Sequence, residues 1–333
     1  MIVDAPSQEW SKANQQFLTQ ALLPIRRMLV ERSANRVAAL NAQMREALND
    51  DFTGGVLGNS YDGKPFSLDY LIRRFGLSDF EISILLLCAA IELDPEWPQL
   101  CASVSGLDYP TFGLAMDLFA EADWQCLSPS APLRRFHFIE VGAGDTLLSS
   151  PLRIDEQIVH YLKGVQCLDV RLQSLLFRMD TARESAGDGV SPSSTTAVKA
   201  MIDLWSVPGK EAMTPFIQLT GTDSQAATAA FGASCHQLKI VAYDLSLSML
   251  PADTQSLQLL ISLCERANKL GGCAFFLDCE MLRRGAGALV DAAMLPVWGR
   301  VEKVIDSLNA PLVVLGQRPF SASWRSVVEV EMR

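Results

Sequence analysis

The chain has 333 residues, 49% of them hydrophobic, with 38 acidic side chains against 28 basic ones and a formal net charge of −10. That length allows about two or three domains with sizeable cores. The acidic balance repels phosphate backbones and argues against nonspecific nucleic-acid binding by the whole chain.

The N-terminus, MIVDAPSQEW, has neither a basic leader region nor an apolar one. No apolar run reaches the roughly 18 residues needed to span a bilayer. A cytoplasmic chain without a membrane segment is therefore expected. Residues 7–50 carry helical spacing. Ser7 can cap the start, and apolar residues recur at Trp10, Phe17, Leu22, Ile25 and Leu29, then at Val37, Leu40, Met44 and Leu48. Pro24 predicts a new helix or a kink in a long one. This reads as a packed helical hairpin, with a helical arm for a partner protein as the alternative.

Residues 49–65 form a glycine-rich loop. FSLDYLIRRFG is a short helix stopped by Gly76. LSDFEISILLLCAAIEL opens with a Ser78-x-x-Glu81 capping box and runs into an almost wholly apolar helix, suited to the centre of a core. DPEWPQLCASV and PTFGLAMDLFA read as two more helices. LRRFHFIEVGAGDTLLSSPLRID reads as two strands around a Gly-Ala-Gly-Asp turn. DEQIVHYLKG is a helix between Asp155 and Gly164, and helical texture continues to about residue 179.

Helices followed by a two-stranded ribbon make a winged-helix module. Many such modules bind DNA, but residues 60–165 hold seven basic residues against fifteen acidic ones. PTFGLAMDLFA, in the recognition position, has no Lys, Arg, Asn or Gln, so it can neither grip phosphates nor read base edges. Protein docking or packing is the expected role, with nucleic-acid binding as the rival.

ARESAGDGVSPSSTT is rich in Ser, Gly and Thr and marks the main boundary. Beyond it, strand and helix alternate, which predicts an α/β domain with a parallel sheet covered by helices. The expected helix around Ala288–Ser307 has Pro296 near its middle. The organisation is thus a helical segment at 1–60, a winged-helix domain with connecting helices at 61–180, a linker at 181–196 and the α/β domain at 197–333.

FIQLTGTDSQAATAAF has the rhythm of a phosphate-binding loop between strand and helix. Laid over G-x-x-x-x-G-K-[ST], it starts at Gly221 and ends at Thr228, but Ala226 and Ala227 replace the second glycine and the lysine. CAFFLDCEML then places Asp278 where a metal-holding acid belongs, with Cys279 where a water-polarising Glu would follow and Glu280 one residue late. APLVVLGQ ends on Gln317 at the place of a sensor residue. Gly221, Thr222, Asp223, Thr228, Asp278 and Gln317 form the candidate remnant of a nucleotide site. No catalytic residue is assigned, because phosphoryl transfer depends on the charges that are missing.

The eight cysteines include no C-x-x-C pair and sit mostly in apolar runs, so they read as buried free thiols. His137, His160 and His236 are scattered, and no metal site is expected.

The first half resembles the N-terminal region of bacterial AAA-type ATPases that carry a winged-helix domain. The resemblance rests on FGLSDFEISILLLCAAIELDPEW, on LSPSAPLRRFHFIEVG and on SSPLRIDEQIVHYLKGV with the LD after it. Members include ATPases encoded with extracellular contractile injection systems, in which a degenerate ATPase-like domain can precede an intact AAA module. Residues 197–333 look like that degenerate domain. The sequence stops where the resemblance would place a helical lid, which implies either an N-terminal fragment of a longer ATPase or a shortened pseudo-ATPase, and Arg318 and Arg325 match an arginine finger only by position. The resemblance implies a regulatory or assembly portion of such an ATPase, with protein partners or an AAA module of the same or a related chain, and a ring oligomer. No cofactor is expected, ATP with Mg²⁺ being what the remnant loop could still take. A divergent ATPase active only in a ring remains the enzymatic alternative.

Overall fold

The computed structural model describes residues 7–40, 60–180, 192–206, 213–221, 224–283, 295–316, 320 and 325–332. The chain packs into two compact units that change over between Cys167 and Leu168. That junction lies ahead of the 181–196 stretch, whose residues 192–196 are already helical.

In the first unit, α1 (Gln8–Leu40) is one helix that runs through Pro24 without ending. The hairpin expected from Pro24 is absent from residues 8–40, and 41–50 lie outside the described residues. Trp10, Leu18, Leu22, Ile25 and Leu29 form its buried face. This face packs on α3 (Asp79–Leu93) and α4 (Trp97–Ser105), and burial along that length supports the helix despite the missing donor. Asn14, fully buried, donates to the Leu162 carbonyl and accepts from the Ser67 backbone, both over 2.9 Å.

The stretch read as loop ends in a small hairpin, β1 (Ser60–Tyr61) with β2 (Lys64–Pro65). Asp62 and Gly63 turn it with φ of 52° and 72°, the left-handed pair that an Asp-Gly turn supplies. α2 (Ser67–Phe75) stops at Gly76 in the left-handed region, as expected. The Ser78–Glu81 capping box is formed in full, and Ile84, Leu85, Leu87, Ala89 and Ala90 of α3 are inaccessible to solvent.

α5 (Phe112–Leu118) is capped by the Thr111 hydroxyl. α6 (Pro132–Arg135) leads into the antiparallel β3 (Ile139–Val141) and β4 (Leu152–Ile154), which Thr111 extends by a bridge to Pro151. Asp155 caps α7 (Glu156–Leu162).

The second unit opens with α8 (Val170–Gln173) and β5 (Leu176–Arg178). The sequence reading carried helix to residue 179. Instead, Leu176 enters the core and pairs with Leu245, so the run ends as a strand. Then follow α9 (Pro192–Ser206), β6 (Phe216–Thr220), α10 (Ser224–Leu238), β7 (Val241–Leu245), α11 (Thr254–Gly271), β8 (Cys273–Asp278), α12 (Leu295–Ser307), β9 (Leu312–Leu315) and β10 (Val327–Glu331). Pro296 is the second residue of α12, where its missing N–H costs no helical bond, and residues 288–294 of the expected helix lie outside the described residues.

The strands form one sheet in the order β10-β6-β9-β8-β7-β5. All neighbours run parallel except β5, which closes one edge antiparallel to β7. Side chains alternate across it. Phe216, Phe275, Leu277, Leu312 and Val314 face a core shared with α8, α11 and α12. Ile217, Leu219, Phe276, Val313 and Leu315 face a second core with α9 and α10. No helix among the described residues is long and apolar enough to cross a membrane.

Candidate functional site

The strand order puts β9 between β6 and β8. The carboxyl ends of β6, β9 and β8, the last closing on Asp278, therefore lie side by side at one edge of the sheet, where ligands of parallel sheets bind. Gly221, Thr228 and Asp278 lie in described structure there. Thr222, Asp223 and Gln317 lie outside the described residues, as does Arg318.

The alternation along β8 decides the chemistry at its end. Phe276 faces the α10 core, so Asp278 points to that side as well. Ser224, the first residue of α10, donates its hydroxyl to Asp278 Oδ2 over 3.0 Å, and the Glu280 backbone donates to Oδ1 over 2.9 Å. The acid is thus engaged on both oxygens. Cys279 turns to the opposite face, buried beside Gly316 and in the core with Phe320. Burial first, and the Asp278 charge second, push its thiol well above the ordinary range. It can neither polarise water nor act as a thiolate.

The lysine position is equally closed. Ala227 has no solvent exposure and packs in the core with Ile217, Leu219 and Phe231. Its side chain faces the sheet. Thr228 spends its hydroxyl on the Ser224 carbonyl one turn back, over 2.8 Å.

Gly221 serves a different purpose from the one its motif suggests. Its φ is 153°, and a Cβ there would fall within clashing distance of the Met332 carbonyl oxygen. The Met332 N–H continues the ladder by donating to the Thr220 carbonyl over 2.6 Å. The glycine lets the chain leaving β10 pass against the end of β6.

One polar device escaped the motif search, and another was read for a different role. Gln218, fully buried on β6, donates to the Gly316 carbonyl and accepts from the Phe320 backbone. Arg325, an arginine-finger candidate, is buried at the opposite edge of the sheet. It donates to the carbonyls of Thr214, Ile305, Leu308 and Ala310 and lies over the Phe216 ring. Burial pulls its pKa down to about 10 against the charges of Glu265 and Asp306. Asn309 completes the network, accepting from the Thr214 backbone while its own N–H donates to Glu265. Arg325 is a structural clasp and is not presented to a neighbour. Nothing in the flanking sequence signals the role of Arg325, and for Gln218 the signal is a lone polar residue inside an apolar strand.

Asp244, the penultimate residue of β7, is within electrostatic reach of Asp278. Burial, and then the Asp278 charge, raise its carboxyl above the ordinary value. No group of three or more His, Cys, Asp or Glu among the described residues is arranged to hold a metal ion.

In the first unit, α5 occupies the recognition position of the expected winged helix. Phe112, Leu114, Ala115 and Leu118 are buried, and Gly113 donates to the Leu148 carbonyl of the wing over 2.9 Å. Residues 11–176 match the family model described as "Winged helix domain, variant". This part of the chain is a winged-helix domain. Its α5 is packed inward, with Asp117 its one charged side chain. Among solved structures, the chain is similar to one titled "Structure of Rhizobiales Trip13", at 16% identity, with 47% of this chain and 67% of that chain covered and a TM-score of 0.27. That likeness is too loose to carry fold or activity. No curated protein matches the chain.

Proposed function

We propose that the chain is a non-catalytic regulatory or assembly portion of an AAA-type ATPase, in which the winged-helix domain and the α/β unit make protein contacts. Ala227 carries the reading. The position that needs a cation reaching β- and γ-phosphates holds a methyl group inside a packed core. The remaining acid, Asp278, is tied to Ser224, and the next position is a buried thiol. A loop in this condition keeps the architecture of a nucleotide domain and drops its electrostatics.

The partners proposed are other proteins or an AAA module of the same or a related chain, with a ring as the assembly. The inward packing of α5 and the acidic surface favour protein over nucleic acid. The setting in a contractile injection system rests on the resemblance of the three sequence strings alone. The test is ATP turnover with Mg²⁺ by the chain and by Asp278→Ala. Equal background rates are expected. Turnover abolished by Asp278→Ala would overturn the reading.

A further inference from the structure

The winged-helix unit has an acidic surface, yet its first helix is basic. Between Gln8 and Ala34, α1 carries Lys12, Arg26, Arg27 and Arg32 against Glu9 and Glu31. Two of these cations are used within the unit. Arg26 pairs with Glu96, and Arg32 donates to the Asp117 carbonyl over 2.8 Å. Arg27 instead stands exposed between Leu23 and Val30, which are 54% and 48% exposed. The spacing of four and three residues sets these side chains in one stripe on the outer face.

Just past α5, residues Ala120–Gln125 are exposed without interruption and carry Glu121, Asp123 and Trp124. Trp124 is 58% exposed although its turn is firmly built. Asp123 accepts from the Gln125 backbone over 2.9 Å, and Phe119, Cys126 and Leu127 anchor the flanks in the core. The large apolar body of Trp therefore projects from a fixed frame between two acids, the arrangement of an interface anchor.

We infer that the two surfaces are complementary halves of one self-association face, and that its occupant is a second copy of this chain. The apolar stripe of α1 with Arg27 receives Trp124, Glu121 and Asp123 of the other copy. The Arg32–Asp117 bond joins α1 to the helix that leads into the acidic turn, so one unit carries both halves, as a reciprocal exchange about a two-fold requires. Few side chains are engaged, which gives a weak, salt-sensitive dimer.

Sedimentation of the full chain at low salt, up to roughly 200 µM, tests this. Reversible dimerisation is expected, lost in Trp124→Ala. Arg27→Glu and Glu121→Arg should each weaken it by about tenfold or more, and the double variant should restore it. Circular dichroism confirms that each variant is folded. A wild type that stays monomeric throughout, dimerisation indifferent to the single changes, or a double variant no better than the singles overturns the inference.

Discussion

The Ser224 hydroxyl donates to the Asp278 carboxylate over 3.0 Å, tying the first turn of α10 to the end of β8. In the same helix Ala227 is inaccessible to solvent. Rebuilding the phosphate-loop signature with Ala226→Gly and Ala227→Lys therefore forces an ammonium into an apolar core. The double variant is expected to lose about 3 kcal/mol or more of stability and to gain no ATP affinity. Denaturant unfolding and nucleotide titration of the same preparation read both outcomes.

Gly221→Ala should destabilise by about 1–3 kcal/mol, because the residue holds a φ that L side chains avoid and meets the Met332 backbone. A glycine kept for phosphate approach alone would accept alanine with little change in folding. Thermal melting distinguishes the two roles.

Arg325→Ala leaves the carbonyls of Thr214, Leu308 and Ala310 without their guanidinium donor at the amino edge of the sheet. A loss of about 3 kcal/mol or more is expected. Arg325→Lys should rescue little, since one ammonium cannot span carbonyls that a planar fork reaches. An arginine that served only a neighbouring subunit would leave the melting temperature of the isolated chain unchanged.

The pH dependence has two opposed contributions. Asp244 has a folded-state pKa above its unfolded value, so the folded chain keeps a proton that the unfolded chain has lost. Stability falls as pH rises through that window. Asp244→Asn should melt higher than the wild type near neutral pH, with the gap closing below the ordinary Asp value of about 3.9. At Asp169, burial pushes the carboxyl up, but hydrogen bonds from Arg171 and the Arg266 charge outweigh it and hold the group low. Its contribution is present above the unfolded value and lost as pH falls through the folded one. Asp169→Asn should melt lower near neutral pH, and that gap should narrow in acid.

Much of the fold was legible because local signals and burial agree. The Ser78–Glu81 box, the Gly76 stop and the alternation along β8 each act through a few residues in sequence. α1 was misread because Pro24 costs a helix one bond and a clash, and the packing of Leu22, Ile25 and Leu29 outweighs both. β5 was misread because three residues show no period, and only the edge of β7 tells strand from helix. At the candidate site the lost charges could be read directly. The roles of Gly221 and Arg325 could not, since each depends on chain more than a hundred residues away or on carbonyls gathered by tertiary packing.

Calorimetric titration of the chain with ATP and Mg²⁺, beside Asp278→Ala, tests the central claim most directly. No heat of binding is predicted for either protein, because the buried Ala227 offers no cation to the phosphates and both oxygens of Asp278 already accept hydrogen bonds within the chain. Micromolar binding by the wild type that disappears in Asp278→Ala would contradict the account and make this unit a nucleotide-binding one.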